Sequence, residues 1–245
     1  MFDDVTDIYE AMIDWDKRLG NEEPFYRSLF ERVGIQSVLD VACGTGRHAA
    51  MFHSWGLRVE GADISPQMIE RARTNFDEPS GLRWVVRGFD QPVQPEQPFD
   101  AAICVGNSLA LAPDMATVER AVHEMLAAVR KGGVMMLHVL NLWHLLDGPC
   151  HWQKCKRATL ERGDVLIVKG VHRSGSGGYM DLIVAPVDVP TDMQSESVAF
   201  FGIEAEELEQ IARRGGASKV ELLGNYNHEP YDRQRSVDLI VIAEK

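Results

Sequence analysis

Residues 37–49 read SVLDVACGTGRHA, a short apolar run carrying one acid and then two glycines, Gly44 and Gly46, separated by a single residue. The aliphatic run bounded by glycine predicts a buried strand, and the continuation predicts a helix over 47–55. A glycine-rich turn between strand and helix lets backbone approach a ligand at the carboxyl end of a sheet. The next apolar run, 58–62, leads into Asp63, 19 residues after Gly44, where a carboxylate can accept hydrogen bonds from ribose hydroxyls. Gly44-x-Gly46-x-x-Ala49 also matches the dinucleotide fingerprint, so two nucleotide ligands fit this stretch.

Further strands are expected at 83–87, 101–105 and 134–139, with helices at Pro66–Phe76 and 115–129. Ser65 caps the first of these helices with proline at its first position, and Lys131-Gly132-Gly133 closes the second. The alternation is that of βαβ units and a parallel sheet covered on both faces. Two helices, 5–18 and 22–33, precede it, the first with an apolar face at Val5, Ile8, Tyr9, Met12 and Trp15. After residue 148 the pattern changes: 164–172 and 179–187 flank SGSGG and read as a hairpin. A helix at 204–213 then leads to strands at Lys219–Leu223 and 236–244, whose connection is too short for a crossover and makes them antiparallel neighbours.

The expected fold is therefore α/β, a Rossmann-like doubly wound sheet of seven strands, mixed because its last pair is antiparallel, with a small β-rich insertion. One domain, 1–245, comprises a helical lid (1–35), a ligand-binding core (36–148), the insertion (149–197), and a last helix with the strand pair (198–245).

The amino terminus is acidic where a secretory signal needs a basic and then an apolar segment, so a cytoplasmic protein is expected. Cys43, Cys104, Cys150 and Cys155 are too scattered for a disulfide framework and read as reduced thiols. A net charge of −12 argues against nucleic-acid partners, and no run is long enough to span a membrane. A small-molecule substrate is expected, and a homo-oligomer is compatible with this composition.

The segments VLDVACGTGRHA, VEGADISPQMIERAR, FDAAICVGNSLALAPD and LAAVRKGGVMMLHVLN, in that order and spacing, resemble the class I S-adenosylmethionine-dependent methyltransferases. DVACGTG and ICVGNSLALAPD are similar to the glycine and sarcosine N-methyltransferase group. The resemblance implies S-adenosyl-L-methionine as cofactor and methylation of a small molecule, at nitrogen rather than oxygen or carbon. It implies that Ala42, Gly44 and Gly46 line the methionine half, that Asp40 faces its cationic groups, and that Asp63 binds the ribose. Ile64 and Met68 would lie against the adenine, with Asp90 near its amino group, in a register where Phe89 competes for the slot. Val105, Gly106, Asn107 and Ser108 would face the transferring methyl group. Tyr9, Trp15, Arg18, His138 and Asn141 would enclose the substrate, Arg18 pairing with the cofactor carboxylate and Tyr9, Asn107, His138 and Asn141 serving catalysis.

Each assignment has a packing alternative. Asp40 can be a turn acid, Asn107 and Ser108 a loop cap, His138 a satisfied core histidine, Tyr9 and Trp15 helix packing, and Arg18 a solvated charge. Displacement at a sulfonium requires no metal, and none is assigned. His144, Cys150, His151 and Cys155 form a rival zinc-like cluster at loose spacing. Leu111 and Leu140 depart from the glycine-type pattern, at positions where that group has histidine and where an arginine for an amino-acid carboxylate is expected. The alternative functions are a nicotinamide-dependent oxidoreductase and a non-catalytic regulator that binds S-adenosylmethionine.

Overall fold

The computed structural model describes residues 5–245. The first four residues of the expected lid, and the side chain of Val5, lie outside the described residues. The opening stretch supplies β1 (Ser37–Val41), buried along its whole length near the middle of a seven-stranded sheet. On one side β1 pairs in parallel with β2 (Arg58–Asp63), which pairs with β3 (Leu82–Val86). On the other it pairs with β4 (Phe99–Cys104), which pairs with β5 (Val129–Leu140). The final strands, β10 (Lys219–Leu223) and β11 (Asp238–Glu244), close this edge as an antiparallel pair, β11 lying antiparallel to β5.

The helices begin and end on local chemistry. In α4 (Pro66–Phe76) the Ser65 hydroxyl accepts the Met68 N–H at 3.3 Å, and in α5 (Met115–Ala128) Asp114 accepts the Thr117 N–H at 2.7 Å. The amino-terminal helices divide differently from the expectation: α1 (Val5–Met12) and α2 (Trp15–Val33) break at Asp14, whose side chain accepts the Lys17 N–H. Gly20, which falls between the two expected helix ranges, lies inside α2 with nothing within 4 Å of a Cβ placed on it.

One face of the sheet packs under α2, α3 (Arg47–Ser54) and α4, with Phe25, Tyr26, Phe52 and Ile69 fully buried. The opposite face packs under α5 and α6 (Ala205–Arg214), with Met125, Leu126 and Leu208 at its centre. Removing such residues from water drives this assembly, at about 1.5–3 kcal/mol for each large side chain.

The insertion is larger than a hairpin. β6 (His151–Leu160), β7 (Gly163–Ser174), β8 (Gly177–Pro186) and β9 (Gln194–Phe201) form a second, antiparallel sheet in that order. β6 and β9 are edge strands and mostly solvent-facing, which removes the apolar alternation by which they would be found in sequence. The inner face of this sheet, Val165, Ile167 and Val184, packs on Ile8 and Met12 of α1. The amino-terminal helix is thus held between the second sheet and the core. Among the described residues no helix is long and apolar enough to cross a membrane.

Candidate functional site

β1 and β4 are neighbours, yet the helices that follow them pack on opposite faces, so a crevice opens at their carboxyl ends. The backbone there is left-handed at Ala42 (φ 57°), Gly44 (φ 56°), Gly46 (φ 82°), Gly106 (φ 78°) and Asn107 (φ 71°). Ala42 and Asn107 each hold this conformation at roughly 1–2 kcal/mol. The two glycines of the opening stretch serve different needs. A Cβ on Gly44 would face the Tyr9 hydroxyl at 3.6 Å, across the crevice. One on Gly46 would meet the Trp84 ring at 2.4 Å, and Gly61 is constrained by the same ring at 2.5 Å. Gly46 therefore makes room for a tryptophan packed beneath the loop, with its indole N–H donating to the Asp77 carbonyl at 2.7 Å.

Asp40 is 1% exposed, and neither carboxylate oxygen has a hydrogen-bond partner within 3.5 Å, the Ala49 N–H and Arg18 giving its ionised form only minor support. Burial first, and the Asp63 charge second, push its pKa up to about 8. An orphaned acid at the base of a crevice calls for a cation. Asp63 accepts the Gly44 N–H at 2.8 Å on one oxygen and the Ser65 N–H at 2.9 Å on the other, keeping lone pairs for a further donor. Its pKa is raised by burial. Beyond it Ile64 is 72% exposed, and Ile64 and Asp90 both border Gly88, while Phe89 packs against the core. Asp90, not Phe89, is thus the residue beside Ile64. Met68 sits in the first turn of α4, its N–H on Ser65.

The β4–β5 end is tied together by its own side chains. Asn107 Oδ1 accepts the Leu140 N–H at 2.9 Å, and the Ser108 hydroxyl donates to the Val105 carbonyl at 3.1 Å. His138 Nδ1 accepts the Gly106 N–H at 3.3 Å and lies 3.3 Å from the Tyr226 hydroxyl, while its Nε2 is 3.1 Å from Asp238 Oδ1. Asn141 is buried with all four hydrogen-bonding positions filled. Its Nδ2 donates to the carbonyls of Arg233 and Ser236 at 2.9 and 2.7 Å, and its Oδ1 accepts from the Trp143 N–H and the Tyr231 hydroxyl. Nothing on Asn141 remains for a substrate, so its place in the chain is a lock between β5 and the last loop.

The two amino-terminal helices roof the crevice. Tyr9 packs edge-on against Trp15 at 5.8 Å, and burial pushes its hydroxyl up to about 12. The buried Trp15 indole N–H has no partner. Arg18 lies 5.4 Å from the Trp15 ring, and its Nη2 would be 3.4 Å from a Cβ on Gly106. Arg18 Nε donates to Glu22 at 2.9 Å, and Glu22 in turn meets His48 Nε2 at 2.6 Å. Burial opposes ionisation of Glu22, but the hydrogen bonds and charges of His48 and Arg18 prevail and hold it at about 2. Glu10 on α1 accepts from the Thr45 hydroxyl and the Arg47 guanidinium, and Asp7 pairs with Arg71. These contacts pin the roof to the glycine loop and to α4.

Glu10, Glu22, His48 and Tyr226 escaped the sequence reading. The i,i+4 spacing of Arg18 and Glu22 is a legible signal for one pair; the others meet only through the tertiary fold. The sequence cluster His144, Cys150, His151 and Cys155 is not brought together. His144 sits on the Asn141 carbonyl, and Cys155 is exposed on β6. Cys150 instead lies near Asp181 and His172, a group whose ligand atoms fall within 4.8 Å, in which Asp181 already accepts from Ser197 and pairs with His172 at 2.7 Å.

Residues 38–133, spanning the glycine loop, Asp63, Asp90 and the β4–β5 end, match the methyltransferase domain family. The chain is similar to the glycine/sarcosine N-methyltransferase of Parasynechococcus marenigrum (strain WH8102), 34% identical over 152 residues, or 60% of this chain and 52% of that one. It is also similar to human glycine N-methyltransferase, 33% identical over 152 residues, 56% of this chain and 52% of that one. The chain thus spans about half the length of the curated relatives it matches. Among solved structures, an S-adenosylmethionine-bound amino pentose methyltransferase from Micromonospora echinaspora shares the fold, with a TM-score of 0.74 at 20% identity over 100% of this chain and 98% of that one. The likeness in fold thus runs the whole chain, whereas the likeness in sequence to the glycine-type relatives covers little more than half of it.

Proposed function

We propose that this protein is a methyltransferase that moves a methyl group from S-adenosylmethionine to an amine nitrogen of a small molecule in the cytoplasm. The observation that supports it most directly is the partnerless buried carboxylate of Asp40, set beneath Gly44 and Tyr9 inside a methyltransferase domain. A nicotinamide dinucleotide gives Asp40 no cationic group to face along its pyrophosphate, whereas S-adenosylmethionine carries both an ammonium and a sulfonium.

When bound, S-adenosylmethionine supplies a methyl group already activated by the sulfonium. The chain's own residues then have to bind, align and exclude water. Asp40 meets positive charge at the base, Asp63 accepts from the ribose hydroxyls, and Ile64 with Asp90 borders the adenine. Arg18 and the Trp15 indole N–H donate from the roof. Tyr9 shields the glycine loop from solvent. His138, which accepts the Gly106 N–H on Nδ1, orients the Gly106 turn, and Asn107 fixes the same turn from the other strand. Nitrogen as acceptor is supported by the names of the relatives, glycine/sarcosine N-methyltransferase and glycine N-methyltransferase.

The test is incubation of purified protein with S-adenosylmethionine and a panel of small amines, with S-adenosylhomocysteine and methylated product followed by mass spectrometry. Methylamine formation with stoichiometric S-adenosylhomocysteine is expected. Cofactor binding without turnover of any acceptor would leave the regulator reading standing, and displacement of S-adenosylmethionine by nicotinamide dinucleotide would overturn the cofactor assignment.

A further inference from the structure

The crevice is electrostatically two-sided. Its floor carries the acids Asp40 and Asp63 on the carboxyl ends of β1 and β2. Its roof carries cations from two different elements, Arg18 on α2 and a lysine pair on the inner face of the second sheet. Lys169 of β7 stands between Ile167, which packs on α1, and Val171, which packs on the main core. Alternation along the strand therefore turns Lys169 to the same side, toward the crevice between them. Its cross-strand partner is Lys154 of β6, whose Nζ donates to the Met12 carbonyl at the end of α1, 3.3 Å away. Lys169 is half-buried and Lys154 exposed at the rim. Two lysines opposite each other on one face repel, and a partly buried lysine without a partner costs stability.

Among the described residues Lys169 has no ion-pair or hydrogen-bond partner, in a chain whose net charge is −12 and whose acids outnumber its cations. Burial, then Lys154, then Arg18 hold its pKa down at about 8. Asp14, whose charge acts on Lys154, uses one of its oxygens to cap α2. Arg18 is already shared with Glu22, and the single carboxylate of S-adenosylmethionine matches one cation at most. Charge balance leaves the lysine pair for something else.

We propose that Lys169, with Lys154 at the rim, is an anion subsite that selects a methyl acceptor carrying an oxyanion, a carboxylate or a phosphate, on the side of the molecule facing the second sheet. The inference rests on the methyltransferase reading. An amine nitrogen would then point toward the floor and the transferring methyl, and the oxyanion toward the lysines.

The experiment titrates the S-adenosylhomocysteine-loaded protein by calorimetry with β-alanine, 2-aminoethyl phosphate and ethanolamine, which share an aminoethyl group and differ in the oxyanion. At least one of the first two should bind tenfold or more tightly than ethanolamine, and which one does distinguishes carboxylate from phosphate. Lys169→Met and Lys154→Met should each weaken that binding, Lys169→Met by tenfold or more, while S-adenosylhomocysteine affinity stays within twofold; Lys169→Arg should retain it. Binding of neither anionic probe, or equal binding to wild type and Lys169→Met, overturns the proposal. So does loss of S-adenosylhomocysteine affinity in step with the probe, which would give the lysines to the cofactor carboxylate. Failure of the wild type to bind S-adenosylhomocysteine at all would instead overturn the methyltransferase reading beneath it.

Discussion

Replacing Asp40 by asparagine should make the free protein more stable and a poorer binder of S-adenosylmethionine. The carboxyl is wholly buried without a hydrogen-bond partner, and its pKa rises from 3.8 to about 8 on folding. Between those values the folded chain keeps a proton that the unfolded chain has released, so this group's contribution falls as pH rises through the window and is flat above it. At 1.36 kcal/mol for each tenfold change in the proton equilibrium, the loss by pH 7 is about 4 kcal/mol. Asparagine cannot ionise in either state and escapes that loss, offset by about 1–3 kcal/mol for an amide whose hydrogens find no partner. Urea denaturation at pH 7–8 should therefore show Asp40→Asn gaining at least about 1 kcal/mol over wild type, with the difference shrinking toward pH 4. S-adenosylmethionine affinity should fall roughly ten- to hundredfold, the scale of one charged contact. Calorimetry in two buffers of different ionisation enthalpy should detect a proton released on binding to wild type at pH 7, and none with the variant. If Asp40→Asn is less stable than wild type at pH 7–8 and binds S-adenosylmethionine equally well, Asp40 is a structural acid and the cation reading of the crevice fails.

Gly46→Ala should cost about 2–4 kcal/mol, read as a lower urea midpoint, because a methyl group must enter the Trp84 ring and adopt a left-handed φ. Asn141→Ala should lose about 3 kcal/mol by stranding the Arg233 and Ser236 carbonyls, while S-adenosylmethionine affinity stays near wild type; a selective loss of turnover with stability intact would return Asn141 to the catalytic set. Glu10→Ala should release α1 from Thr45 and Arg47, so that limited proteolysis cuts near Met12–Asp14 faster and S-adenosylhomocysteine slows the cut; equal cleavage rates in wild type and variant would show that the second sheet alone holds the helix.

The strands and helices of the main sheet were legible in the sequence because their signals are local. Apolar runs, the Ser65 and Asp114 caps, and the short link between the last two strands each act over a few residues, and together they specify the seven strands and the antiparallel last pair. The Gly44 turn and Asp63 were readable for the same reason, since a glycine loop and an acid at the end of the next strand have fixed spacing in a βαβ unit. What the tertiary structure decided depends on contacts between residues far apart in the chain. That Gly46 must lack a side chain for packing was decided by Trp84, nearly forty residues away. Phe89 and Asp90 compete in sequence, but only the position of the core assigns Phe89 inward and leaves Asp90 beside Ile64. β6 and β9 were hidden because an edge strand gains its order from backbone pairing and buries little, so its side chains carry no period. The pairing of Glu22 with His48, the engagement of Asn141 and the facing of Lys169 by Lys154 are long-range outcomes of register and burial. Local sequence sets which elements form, and the electrostatic character of the crevice arises only when those elements are packed against one another.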